Sequence, residues 1–564
     1  MREKLNRLQS AHYKWVALSN TTLGVLMATI NSSILIISLP AIFRGIRLNP
    51  LEPGNINYLL WTLMGFMVCT AVLVVAFGRL GDMFGRVKMY NAGFAVFTAA
   101  SIALSFTPGH GPAAALFIIF MRIVQGIGAA LLFANSTAIL TDAFPPDQRG
   151  LALGINGVAA IAGSFIGLIV GGLLASIDWR AVFWVSVPIG LLGTIWAYVM
   201  LRDTAKKDTV EHDWLGNITF AAGLVLLLVG ITYGIQPYHA HVMGWTSPKV
   251  LTYLISGIVL LAAFIVIELR VKVPMFNLHL FAIRAFAAGN TASLLSAIGR
   301  GGLQFMLIIW LQGIWLPLHG YNFIDTPLWA GIYMLPLVAG FLVVGPISGY
   351  LSDRFGARPF ATGGMIIGAI TFILLQFLPA NFTYWEFAIL IFLNGVGSGL
   401  FAAPNSTGIM NSVPPTERGQ ASGMRATTMN AGMVLSIGVF FSLIIIGLST
   451  TLPKTMEQQL ITERVPVTVA HQIANAPPVG SLFAAFLGYN PMKSLIPPPV
   501  LKSLPPSNVA AITGKSFFPK LISKPFMHGL KYAFTFSAIL FALAAIASWL
   551  RGKKYIHAEE TVTA

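Results

Sequence analysis

Apolar runs separated by short polar breaks follow one another along the whole chain, near 13–42, 57–77, 89–107, 113–137, 151–175 and 180–201, then 215–235 and 249–268, and finally 286–310, 327–348, 360–379, 384–407, 419–448 and 530–550. A helix rising 1.5 Å per residue needs about 20 apolar residues to cross roughly 30 Å of hydrocarbon, so each run predicts a membrane-spanning helix. The expected fold is an all-α polytopic membrane protein with fourteen spans in the order six, two, six. Residues 1–201 are expected to form an N-terminal six-helix bundle, and 202–285, opening on the polar stretch Arg202 to Asp213, a linker with two extra transmembrane helices. Residues 286–550 follow as a C-terminal six-helix bundle that includes a long loop at about 450–529, and 551–564 as a tail. The run at 327–348 is the weakest, because Pro336 and Pro346 each remove a helix hydrogen bond.

Three short stretches are written twice. Gln125-Gly126-Ile127-Gly128 returns as Asn394-Gly395-Val396-Gly397, and Pro145-Pro146-Asp147-Gln148-Arg149-Gly150 as Pro414-Pro415-Thr416-Glu417-Arg418-Gly419, both 269 positions later. Asn135-Ser136-Thr137 recurs at 405–407, slipped by one. Spacing kept over such a distance marks two related halves. The spans near 215–235 and 249–268 have no counterpart in the first half, which sets them outside the repeat.

Composition adds the setting and charge the orientation. Hydrophobic residues make up 56% of the chain and charged ones 10%, against about 25% charged in a soluble domain. Of the 35 Lys and Arg, about 20 lie in the termini and the short loops on the N-terminal side, while the short loops opposite carry four: Arg44, Arg47, Arg180 and Lys249. The positive-inside rule then puts both termini in the cytoplasm. The net charge of +16 is thereby topological, and nucleic acid is excluded as a partner. Arg2, Lys4, Arg7 and Lys14 precede a first run too long for a signal peptide and without a small-residue cleavage site, so it is expected to stay as a span. The one cysteine, Cys69, sits inside a run, which leaves no disulfide framework and no cysteine metal site. The long loop at 450–529 is rich in proline but carries the apolar stretch 479–489. Proline opposes regular helix there and the apolar stretch favours packing, so a structured cap and a disordered loop both fit.

Between the second and third spans stands Gly78-Arg79-Leu80-Gly81-Asp82-Met83-Phe84-Gly85-Arg86-Val87-Lys88, and the second half answers with Gly349-Tyr350-Leu351-Ser352-Asp353-Arg354-Phe355-Gly356-Ala357-Arg358. Glycine lets helix ends approach or turn sharply, and aspartate and arginine can bridge to caps and helix ends. Gly78, Gly81, Asp82, Gly85 and Arg86, with Asp353 and Arg358, are therefore the candidate latch between rocking bundles, beside the plainer reading of a tight turn. This loop resembles the signature of the major facilitator superfamily. Arg122-Ile123-Val124-Gln125-Gly126 looks like the fourth-span motif of its 14-span drug:proton antiporter branch, and the stretch from Gly163 to Gly172 like the fifth-span motif. Trp179 to Gly190 resembles the opening of the branch's sixth span. The resemblance implies two six-helix bundles around a central cavity, in a cell membrane, exporting lipophilic and often cationic compounds by alternating access.

Two departures qualify what it carries over. Gly167-Leu168 stands where the branch usually has Gly-Pro, yet Gly163, Gly167 and Gly171 keep the small-residue face that, with Gly126, lets helices pack closely. Asn31 stands where relatives commonly carry an aspartate, and an amide cannot carry a proton. None of the 19 acidic residues replaces it at mid-membrane: Asp82, Asp142, Glu268 and Asp353 fall near helix ends on the N-terminal side, Asp325 and Glu386 near the outer ends. Arg122 is at mid-depth, where an arginine costs about 2.5–3.5 kcal/mol, so it needs a partner. The resemblance assigns it proton relay or conformational coupling. The remaining cavity candidates are Asn31 itself, Arg300 for anionic or zwitterionic cargo, and Trp310, Gln312, Trp315, Tyr333, Asn394 and Asn405, which join apolar area to a hydrogen-bonding group.

No nucleophile with a base or metal cluster marks an enzyme, and no Gly-Lys-Ser/Thr loop marks an ATPase. Isolated polar residues do not make a channel's continuous pore. The expected function is secondary export of lipophilic or amphiphilic small molecules, coupled to proton influx, by a monomer without cofactor or metal. A lipid translocator of the same fold with weak or no proton coupling is the alternative, favoured by the missing acids and the arginines within spans.

Overall fold

The computed structural model describes residues 2–49, 52, 54–145, 148–202, 213–239, 241–271, 274, 276–414, 417–475, 477–488 and 490–552, without the side chains of 2–11, 149–151, 353 and 419. Among these, fourteen helices are long and apolar enough to span a membrane. The first six are α1 (His12–Gly45), α2 (Asn55–Phe84), α3 (Arg86–Ser105), α4 (Gly111–Ala143), α5 (Ala152–Ile177) and α6 (Ala181–Met200). The extra pair is α7 (Trp214–Gly234) and α8 (Pro248–Glu268). The second six begin with α9 (Arg284–Leu318), α10 (Thr326–Ser352), α11 (Ala357–Leu375), α12 (Tyr384–Asn411) and α13 (Gln420–Thr462), and end, after five short helices, with α19 (Phe517–Trp549). Fourteen crossings bring the start of α1 and the end of α19 to one side of the molecule, the terminal end, where Arg284 Nε donates to Leu550 O at 2.6 Å. The opposite side is the far end.

The repeat read in the sequence is also a repeat of packing. In the first half α1 lies on α5, and α4 lies between α2 and α3; in the second, α9 lies on α13, and α12 between α10 and α11. Glycines set the separations. A Cβ on Gly128 of α4 would sit 2.9 Å from Gly93 O of α3, and one on Gly397 of α12 would sit 2.7 Å from Gly364 O of α11. Those are equivalent pairs of the two halves, and neither leaves room for a methyl group. With no water to compete, such backbone-close seams supply the dispersion contacts that hold membrane helices together. Gly126, Gly163, Gly167 and Gly171 all lie on seams of this kind; a Cβ on Gly126 would meet Phe66 O at 2.8 Å and one on Gly167 would meet Ile30 O at 2.5 Å.

Along the α5–α10 seam the two halves meet at the far end. A Cβ on Gly172 would lie 2.6 Å from Leu328 Cα, and one on Gly331 would lie 3.0 Å from Leu168 O. Toward the terminal end α5 comes free, with nothing within 4 Å of the Cβ positions of Gly154 and Gly157. The opposite seam, α2 with α13, is bridged by the extra pair: Thr232 Oγ1 of α7 donates to Met64 Sδ of α2 at 3.1 Å, and Ile231 packs on Gly438 of α13. Pro274, in the connection from α8 to α9, accepts on one carbonyl from Arg79 of α2 (2.8 Å) and Gln420 of α13 (2.9 Å).

The stretch expected as a loop at about 450–529 is largely helical. α13 runs on to Thr462 and α19 begins at Phe517; between them lie α14 (Val467–Ala474), α15 (Pro478–Phe486), α16 (Met492–Leu495), α17 (Pro498–Ser503) and α18 (Pro506–Thr513). The proline pairs start helices here instead of preventing them. Pro478, Pro498 and Pro506 each occupy the first helical position, where no backbone N–H is needed. Beyond the hydrocarbon, α13 keeps a stripe of Leu448, Leu452, Met456 and Leu460 at a spacing of four, all buried against this cap. Every residue of α15 is buried, and the cap reaches across to the first half, where Arg44 Nη1 donates to Leu487 O at 3.4 Å. Phe483 packs at 5.2 Å, tilted, against Phe441 of α13. Phe483→Ala should cost about 3–5 kcal/mol of local stability. In limited trypsin digestion of the detergent-solubilised protein, cleavage at the exposed Lys493 and Lys502 should accelerate; an unchanged rate would contradict a packed cap.

Candidate substrate path

Five helices of the first half converge on one guanidinium. Arg122 of α4 is buried at 1% exposure. Its Nη1 donates to Gln125 Oε1, one turn along the same helix face, at 2.5 Å, and to Asn31 Oδ1 of α1. Asn31 Nδ2 donates on to Ser186 Oγ of α6 at 3.2 Å, and Gln125 Nε2 to Ser101 Oγ of α3 at 2.8 Å. Phe66 of α2 closes the cage, its ring centroid 4.3 Å from Arg122 Cζ. The acceptors are neutral, and none of the ion pairs among the described residues involves Arg122. Asn31 thus takes the place next to the arginine that an aspartate would take, and it solvates the charge without cancelling it.

The second half repeats the cage without its charge. Asn394 Nδ2 donates to Thr371 Oγ1 at 3.0 Å, as Gln125 does to Ser101, but the position of Arg122 is held by the fully buried Ile391. Nearer the terminal end Asn405 Nδ2 donates to Ser293 Oγ of α9 at 2.7 Å and to Gly289 O at 3.2 Å, while its Oδ1 accepts from Arg551 Nη2. Arg551 stands just past α19 and is itself buried, with Nε and Nη1 unpartnered. Nothing in the sequence singled it out, since it falls where a tail is expected.

Arg300 of α9 has no hydrogen-bond or ion-pair partner among the described residues and is half-buried. Gln304, one turn further on the same face, leaves its buried Nε2 unpartnered. Arg425 of α13, also half-buried and absent from the sequence expectations, has one hydrogen bond, from Nη1 to the thioether of Met429 at 3.2 Å.

The other cavity candidates belong to the closed far end. α9 makes a π-helical turn at Leu311–Trp315, a widened turn that throws successive side chains onto different neighbours. Gln312 Nε2 crosses to Ile37 O of α1 at 3.3 Å, and the indoles of Trp310 and Trp315 donate to Ala380 O (3.2 Å) and Phe382 O (2.9 Å). Tyr333 shares a 2.8 Å hydrogen bond with Tyr321 and packs on Tyr384 at 4.5 Å. Trp310, Gln312, Trp315, Asn394 and Asn405 are buried in this conformation, with the Oε1 of Gln312 and the Oδ1 of Asn394 left without a partner.

At the terminal end Arg86 pairs with Asp82 at 2.8 Å and with Asp142 at 2.6 Å. All three residues belong to the first half, so these pairs do not span the two bundles. Gly81 lets α2 close on Asn135 of α4, and Gly85, at φ 106, makes the turn into α3; Gly78 leaves α2 near Ala134. In the second half Arg358 stacks on Trp549 at 3.6 Å, while the side chain of Asp353 lies outside the described residues.

Two bundles of six antiparallel helices related by a sequence repeat, with a polar centre at mid-depth, define a polytopic transporter fold. The sequence profile of the Major Facilitator Superfamily matches residues 21–314 and 290–453, and the chain belongs to that superfamily. Its relatives include the riboflavin transporter RibZ of Clostridioides difficile, 27% identical over 76% of this chain and 88% of that protein. The tetracenomycin C resistance and export protein of Streptomyces glaucescens is 26% identical over 95% of this chain and 91% of that one, as the resemblance to the drug-export branch implies. A solved bacterial homologue of the human lysosomal transporter Spinster shares the fold, with a TM-score of 0.54 at 14% identity over 95% of this chain and 97% of the other.

The uncompensated charge makes a stability ordering. Asn31→Leu removes an acceptor from a buried cation and should cost about 1–3 kcal/mol, whereas Asn31→Asp gives the charge a partner in place and should stabilise. Thermal midpoints in detergent should rank Asp above Asn above Leu at this position. An aspartate variant no more stable than wild type would contradict a guanidinium that lacks charge compensation.

Proposed function

We propose that the chain is a secondary exporter of amphiphilic small molecules working by alternating access, with its terminal end in the cytoplasm. The carrying observation is the α5–α10 seam, closed at Gly172 and Gly331 and free at Gly154 and Gly157. A cargo entering from the terminal end would meet Arg425 and Arg300 before the far-end aromatic layer. The opposite state would part the far end and bring α5 onto its partner at the terminal end. The basic residues of the terminal-end loops support the cytoplasmic orientation, and the drug-export relative supports the direction. On this reading residues 1–201 and 286–550 are the two moving bodies, and α7 and α8 a bridge along the opposite seam. The amide of Asn31 cannot carry a proton, so on this reading proton coupling does not run through that position of α1.

Gly172→Leu tests this reading by forcing the far-end seam apart. In a Cys69→Ser background with a reporter cysteine at Gly157, maleimide labelling from the terminal end should slow. Dye export from loaded proteoliposomes should fall about tenfold or more while the amount of folded protein is kept. Full transport together with unchanged labelling would overturn the proposal.

A further inference from the structure

We infer that the cargo of this exporter is an amphiphilic organic anion, whose acidic group is held at mid-depth by Arg300 and Gln304 of α9. The inference rests on the exporter reading and adds the sign of the cargo's charge. Two helix neighbours on one face present hydrogen-bond donors that nothing among the described residues accepts: the Arg300 guanidinium and the buried Nε2 of Gln304. Arg300 can only donate and Gln304 Nε2 donates beside it, so the group that satisfies the pair is an acceptor. Arg425 repeats the theme on the adjacent helix, its buried Nε orphaned and its Nη1 on a thioether, a weak acceptor. α9 and α13 run side by side in one direction, with Gly301 against Met433 and Ala297 against Gly432. Arg425 therefore lies eight residues, roughly 12 Å, closer to the terminal end than the neighbour of Gly301. The two cations form successive stations on a path from the terminal end to mid-depth.

No acid among the described residues offsets them. Each described Asp and Glu lies in a connection, in the first or last turns of a spanning helix, or, for Glu457 and Glu463, in or just past the extension of α13 into the cap. Across the path the Arg122 cage contributes a further cation among neutral acceptors. Unpaired guanidinium groups in a low-dielectric interior are costly, and an entering anion relieves that cost while an entering cation raises it. Charge also supplies a driving force. With the terminal end cytoplasmic, a monoanion leaving a negative-inside cell gains roughly 50-fold in concentration ratio per 100 mV, so the lack of a mid-membrane proton carrier does not prevent uphill export.

Fluorescein and rhodamine 6G share a xanthene body and differ in the sign of their charge, which makes them the probes. Binding to the purified full-length protein in detergent, followed by fluorescence anisotropy, should favour fluorescein by roughly tenfold or more, the size of a charge-assisted contact. Arg300→Gln should abolish most of that preference, Gln304→Leu should weaken fluorescein binding severalfold, and Arg300→Glu should turn the preference toward rhodamine 6G. Equal or tighter binding of rhodamine 6G by the wild type overturns the inference, as does fluorescein binding that none of the three variants alters. Should Arg300→Glu not fold, the wild-type preference and Gln304→Leu still decide. A parallel assay follows flux of both dyes and of a fluorescent phosphatidylglycerol in proteoliposomes under an imposed potential. Rhodamine 6G export without fluorescein binding leaves the exporter reading standing and removes this one. Arg300-dependent fluorescein binding without flux of either dye keeps an anion-binding site at Arg300 and removes the exporter reading that makes the anion a cargo. Movement of the lipid alone, sensitive to Arg300→Gln, identifies the anion as a lipid headgroup.

Discussion

A positive charge buried without a negative one constrains the first half of this molecule. Hydrocarbon offers no hydrogen bonds, so a guanidinium at mid-depth has to find every acceptor inside the protein. Arg122 recruits them from α1 and from its own helix, through Asn31 and Gln125. Ser101 and Ser186 then bring in α3 and α6, and Phe66 brings in α2. Because those acceptors are amides, the cage fixes five helices about one point while leaving the charge uncancelled. The second half has the same helix arrangement and the same amide-to-hydroxyl bond but places Ile391 where the charge would be. The halves are therefore alike in backbone and unlike in electrostatics, and that difference is located at a single position of the repeat.

The close seams explain how such halves can move as bodies. Within each half, backbone approaches backbone at paired glycines, as at Gly93 with Gly128 and Gly364 with Gly397. Contacts of that kind tolerate little shear. Between the halves the contact along α5 and α10 is short and confined to the far end. The cap seals the same end from above, and the connection at Pro274 ties α2 to α13 at the other. Rigid interiors joined by limited seams are the condition for rocking about a central site.

Much of this was legible in the sequence. The apolar runs gave the spans because hydrocarbon thickness sets a length, and the doubled glycine and proline motifs gave the two halves. Arg122 stood out because a charge within an apolar run is rare. What escaped detection did so for physical reasons. The extension of α13 presents apolar residues on one face only, so its average hydropathy falls although Leu452, Met456 and Leu460 are buried. Proline pairs read as helix breakers when they occupy first helical positions. Trp310 and Trp315 have the composition of pocket residues, and only the π-helical turn shows that their indoles are spent on backbone carbonyls. Arg551 acts on Asn405 from beyond the last span, a contact between distant parts of the chain that no local pattern announces.

We propose that the two halves rock about this mid-depth centre, opening one end as they close the other. Electron–electron resonance distances between spin-label pairs on a Cys69→Ser background test it most directly, with one pair at Val158 and Ile347 toward the terminal end and another at Ile177 and Ile324 at the far end, all exposed positions. In proteoliposomes, rocking requires reciprocal changes between conditions that favour the two states: as the terminal-end distance shortens, the far-end distance lengthens. Distances that stay fixed, or that lengthen together, would contradict it.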